Sequence, residues 1–80
     1  MSKSDFAADF ELALRHHMDG RLADAETGYR AVLAAHPRHA PSLHHLGVLA
    51  HQAGANDAAA TLIAQAIKIS PDYAEALSNL

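Results

Sequence analysis

The chain has 80 residues, half of them hydrophobic, a formal net charge of −3 and no cysteine. That length allows one small domain with a modest core. The missing cysteines exclude disulfide staples, thiolate metal sites and a cysteine nucleophile, and the acidic balance lacks the basic face a nucleic-acid binder needs to displace counterions from phosphates.

Alanine dominates the hydrophobic class, and the only aromatics are Phe6, Phe10, Tyr29 and Tyr73. Alanine has the best helix propensity and lets helices approach closely, so an all-helical chain is expected. No stretch nears the roughly 18 apolar residues of a membrane span. The start, Met1 to Asp5, leads into a segment interrupted by Asp9 and Glu11 rather than into a signal-peptide core. A soluble, cytoplasmic protein with no membrane partner is the expectation. Charge is uneven: from Ala40 to Tyr73 only Lys68, Asp57 and Asp72 are charged. A segment that poor in charge is expected to lie sandwiched between neighbours.

The first predicted helix runs from about Asp5 to Met18, with Phe6, Phe10, Ala13, Leu14 and His17 at three- and four-residue steps. The second spans roughly Leu22–Ala35, with Leu22, Ala25, Tyr29, Val32 and Leu33 on one side. A third starts near Pro41, a residue welcome in a first turn, and carries Leu43, Leu46, Gly47 and Ala50 to about Ala53. The fourth runs from near Asp57 to Ile69 through Ala59, Ile63, Ala66 and Ile67. A fifth begins after Asp72, where Glu75 three residues later completes a capping box, and stops at Leu80 inside its apolar pattern. No segment alternates with period two for long enough to read as a strand.

The helices repeat. Gly20 and Gly54, Ala25 and Ala59, Thr27 and Thr61, and Pro37 and Pro71 are each 34 residues apart, as are Leu12 and Leu46, and His17 and His51. Each shared residue has a structural use. The two glycines fall where a helix should end in a left-handed residue, and the two prolines stop the second helix of each pair.

A 34-residue helix–turn–helix unit with these marks resembles the tetratricopeptide repeat. The second unit supplies Leu46-Gly47, Gly54, Ala59, Ile63, Ala66 and Pro71, and the first Leu12-Ala13, Gly20, Ala25, Tyr29, Val32 and Pro37. Departures are Ala13 for the glycine, Asp9 and Leu43 where an aromatic is usual, and Val32 for an alanine. The resemblance covers Phe6 to Leu80. It implies an all-α fold of antiparallel helix–turn–helix repeats stacked as a short right-handed superhelix. The organisation would be a flexible tail at 1–5, repeats at 6–39 and 40–73, and the start of a third repeat or a truncated capping helix at 74–80.

In this family the concave groove is lined by the first helix of each repeat. Carried over by position, the lining would be Phe10, Leu14 and His17, then His44, Val48 and His51, then Ser78. His44 and His51 are seven residues apart, so they share a helical face about 10.5 Å apart along the axis. The plainer alternative makes these residues the ordinary surface of a spacer repeat. Groove positions that hold chaperone carboxylates in this family carry lysine, arginine and asparagine. Here they carry phenylalanine, leucine, valine and histidine, so a partly apolar peptide or helix of another protein is the expected partner.

A narrower resemblance joins Ala74–Leu80 to the repeats that precede the catalytic region in bacterial relatives of O-linked N-acetylglucosamine transferases. Asn79 takes the place of their groove asparagine, while the first two repeats have Glu11 and His45 there. The alternative function is therefore the N-terminal, substrate-presenting arm of a larger glycosyltransferase-like enzyme.

Seven histidines raise the question of a metal, but none of them forms an i, i+4 pair. His36 and His39 straddle Pro37 in a turn, and His44 and His45 are expected on different faces. No metal or other cofactor is predicted, and the histidines read as solvated or capping. Histidine titrates near neutrality, so a groove holding His17, His44 and His51 would respond to pH. No catalytic constellation emerges: Ser42 lies near His44 and His45 without an orienting acid, and no phosphate loop is present. Two repeats are fewer than the usual three, so self-association through uncovered repeat ends, or a longer parent array, is also expected.

Overall fold

The computed structural model describes residues 5–71, as four α-helices: α1 (Asp5–Met18), α2 (Leu22–Ala35), α3 (Ala40–Gln52) and α4 (Asn56–Ile69). No strand occurs among the described residues. Residues 1–4 of the expected tail, the fifth helix, Ser78 and Asn79 lie outside them, while Asp5, counted with the tail, opens α1.

The turns within the two helix pairs are built alike. After α1, Gly20 takes φ +80°, its N–H bonds to the carbonyl of His17 at 3.2 Å, and the N–H of Arg21 reaches the carbonyl of His16 at 2.8 Å. After α3, Gly54 takes φ +86°, bonds to His51 at 3.0 Å, and Ala55 reaches Ala50 at 2.8 Å. This reciprocal pair of bonds is the Schellman ending, and it needs the left-handed residue that glycine supplies. Thr27 and Thr61 return their hydroxyls to the carbonyls of Ala23 and Asp57, at 3.0 and 3.1 Å. The pairs thus repeat in backbone as they do in sequence.

Between the pairs, the turn 36–39 carries Pro37, and α3 opens on His39, whose Nδ1 accepts the N–H of Ser42. That capping acceptor satisfies one of the orphan donors of the first turn. α2 and α4 have no side-chain cap, but each carries an acid in its first turn, Asp24 and Asp57, where the helix dipole favours it.

α1 packs on α2, α2 on α3 and α3 on α4. One core cluster gathers Ala13, Ala25, Tyr29, Leu46 and Leu49, with Phe10, Leu14, Leu22, Leu33 and Leu62 against it. A second joins Ala40, Leu43 and Ala66, bordered by Leu33, Leu62 and Ile69. Close approach in each pair depends on a glycine. A Cβ on Gly28 would stand 2.7 Å from the Ala13 Cβ, and one on Gly47 2.7 Å from Ile63 Cγ1 and 3.2 Å from the Ala59 carbonyl oxygen.

The charge-poor segment is buried unevenly among the described residues. α3 buries Ala40, Ser42, Leu43, Leu46, Gly47 and Leu49. α4 buries only Ala59 and Ala66, exposes Ala60, Ala64 and Gln65, and leaves Ile67 at 36% of its area.

Candidate functional site

The residues that repeat position assigned to a groove separate into a cluster and outliers. Phe10 and Leu14, on α1, are half-buried and pack against the first core cluster. The ring of Phe10 lies 4.9 Å from that of His39, edge to face, 5.7 Å from His45 and 6.0 Å from Tyr29, centroid to centroid. It fills the seam where α1 meets the start of α3.

His17, one helical stripe further along α1, is held at both nitrogens. Its Nε2 lies 2.6 Å from Gln52 Oε1, which can only accept, so Nε2 carries the proton. Nδ1 lies 3.0 Å from the Tyr29 hydroxyl. The contacts tie α1 to α2 and to the end of α3. Tyr29 is fully buried, and burial pushes its phenol up to about 12. It is therefore a neutral O–H donor across the ordinary pH range.

His45 completes the cluster. Its ring stacks on Tyr29 at 5.9 Å with 15° between planes and stands 6.4 Å from His17, edge to face. Burial, followed by the neighbouring charges of His44 and His17, pushes it down to about 4. His44 is half-buried with its ring 5.0 Å from His45, and burial lowers it too. The adjacent histidines thus differ in surroundings: the rings of Phe10, His17 and Tyr29 lie against His45, and His44 lies beside it. His39 is lowered by burial and then by His36, and its Nδ1 also receives the Ser42 hydroxyl at 2.7 Å.

The remaining assigned residues stand apart from these rings. Val48 is half-buried further along α3. His51 is exposed, and its Nδ1 meets Asn56 Oδ1 at 3.0 Å, bridging the α3–α4 turn. Among the described residues no three His, Asp or Glu side chains converge as metal ligands. No described helix is long and apolar enough to cross a membrane.

Repeat position alone missed Tyr29, His45, His39 and Gln52. A signal for two of them was present: His45, Leu49 and Gln52 fall at i, i+4 and i+7, one face of α3. Leu49 at the centre of that stripe is buried in the core.

A second concavity lies on the far side of the first pair. It is an open groove of about 320 Å³ between α1 and α2, with Leu12, Gly28 and Ala31 on its walls and Asp9, His16 and Asp24 among its polar residues. Leu12, 54% exposed, is its large apolar group.

No protein-family model matches the chain, and no curated protein matches it as a relative.

Proposed function

We propose that the chain is a protein-interaction module of tetratricopeptide type, whose stacked helix pairs hold a peptide or helix of another protein on the surface formed by α1 and α3. The observation that supports this reading is the repetition of backbone geometry at the 34-residue spacing of the sequence: left-handed Gly20 and Gly54, each in a Schellman ending. Such repeats stack so that each unit touches its neighbours and presents a continuous binding face. The role is binding rather than catalysis, with no cofactor. Phe10, Leu14, His17, His44, Val48 and His51 are the described candidates for contact, and Ser78 would extend the same row. The inner part of this row, Phe10 and His17, is largely occupied in joining the pairs. Val48, half-buried further along α3, is therefore the residue through which a partner would chiefly be felt.

A peptide library displayed on phage and selected against the 80-residue chain tests the reading. Val48→Glu should abolish capture of the selected peptides while helicity by circular dichroism stays near wild type. Undiminished capture would remove the α1–α3 face as the site.

A further inference from the structure

We propose that the ring cluster of Phe10, His17, Tyr29 and His45 is an acid-operated latch between the two helix pairs, closed when His45 is neutral and opened by its protonation. The inference rests on the geometry of the seam and does not depend on the partner-binding reading. α1 and α2 contribute Phe10, His17 and Tyr29, and α3 contributes His45, which touches all three through ring contacts of 5.7 to 6.4 Å. The seam is therefore joined at a titratable ring lodged among aromatic surfaces, where a charge loses water and meets no carboxylate among the described residues.

The groups around His45 are unfavourable to a proton. From α1 it meets His17, whose Nε2–H and Nδ1 are engaged by Gln52 and Tyr29. From α2 it meets Tyr29, a neutral phenol. On its own helix it meets His44, which, like His17, opposes its charging. Six charged residues of α1 and α2 line other surfaces or pair with each other. Glu11 and Arg15 share a different surface of α1 with Ala8 and Leu12. Glu26 and Arg30 pair with each other at 2.8 Å, and Asp9 and Asp24 line the groove on the far side of the first pair.

The direction of the effect follows from burial. A histidine held below its ordinary value of 6.5, here to about 4, favours the closed form fully above pH 6.5. That contribution is lost as the pH falls from 6.5 towards 4, because the open or unfolded chain binds the proton more tightly. One such group changes the equilibrium by up to about tenfold per pH unit inside this window.

Two measurements on the intact chain test the latch. In the first, histidine ring resonances are followed by NMR from pH 8 to pH 4, together with the cross-relaxation between the Phe10 and His45 rings. His45 should titrate well below free histidine, and the cross-relaxation should fade as it protonates. A His45 that titrates at or above 6.5 would mean that the aromatic faces hold the cation, and would overturn the proposal. So would cross-relaxation that persists once the ring is charged. In the second, urea midpoints at pH 7 and pH 5 are compared for wild type and His45→Phe, which keeps a flat ring against Tyr29 but cannot titrate. The fall in midpoint should be clearly smaller in the variant; an equal fall would assign the acid sensitivity to other groups and sink the latch. If the variant does not fold, the NMR titration of the wild type decides alone.

Discussion

The first and second helix pairs share a backbone and differ in where they place their smallest residue. In the second pair the glycine is on the first helix, Gly47 of α3, and Ile63 of α4 fills the space above it. In the first pair the corresponding position of α1 is Ala13, and the glycine has moved to the facing helix as Gly28. The departure of Ala13 from the repeat pattern is thus one half of an exchange across the interface. What the fold keeps constant is the separation of the helices; which helix gives up its Cβ is free to change. The pairs also differ in cover: Leu46 is 2% exposed, packed in the core with Tyr29, whereas its counterpart Leu12 is 54% exposed.

The largest expected effect uses that difference in cover. Leu46→Ala should destabilise the chain by about 2–5 kcal/mol, the cost of emptying a well-packed leucine site, while Leu12→Ala should change stability by less than about 0.5 kcal/mol. Urea denaturation of both variants provides the comparison. Similar losses would mean that Leu12 is covered in solution, by a second copy for example, and sedimentation over a range of concentrations would then show association.

The exchange of small residues gives the next effect. Gly28→Ala should cost about 1–3 kcal/mol despite the better helix propensity of alanine, because its Cβ collides with that of Ala13. Adding Ala13→Gly should restore most of the loss, and a double-mutant cycle would read the coupling directly. Gly47→Ala should be destabilising as well, since it meets both Ile63 and the backbone oxygen of Ala59. Independent, additive costs at 13 and 28 would break the argument that the two positions trade a methyl group.

The smallest effect concerns the surface. Arg30 and Glu26 form an exposed i, i+4 ion pair on α2. Glu26→Gln should lower stability by less than about 0.5 kcal/mol, and the difference should shrink further in 0.5 M salt. A larger, salt-resistant loss would give Glu26 a packing role beside Leu46 and Leu62, with which it shares a small hollow.

The existence of the four described helices and the bounds of α1 and α2 were legible in the sequence, because three- and four-residue apolar spacing and the turn glycines agree. α3 begins at Ala40 and α4 at Asn56, each one residue before its predicted start. The cap of α3 is a histidine nitrogen, a donor–acceptor role that residue type alone does not reveal, and α4 has no side-chain cap. Gly28 reads in isolation as a weak point in a helix; only its partner across the interface gives it a purpose. The candidate site was legible in part. Phe10 and His17 were marked by repeat position, but that rule looks along the first helix of each unit and does not register what Tyr29 contributes from the second. Nor does it separate His45, turned into the seam, from His44 beside it.

The order of contacts along the chain has a consequence for how fast the molecule forms. Each helix makes its extensive contacts with the next one in sequence. Such local wiring keeps loop-closure costs low and favours folding on the microsecond-to-millisecond scale. The bond from His17 to Gln52 spans 35 residues, so closing it costs more loop entropy than a contact between adjacent helices. A mutation that removes this bond is therefore expected to accelerate unfolding more than it slows refolding.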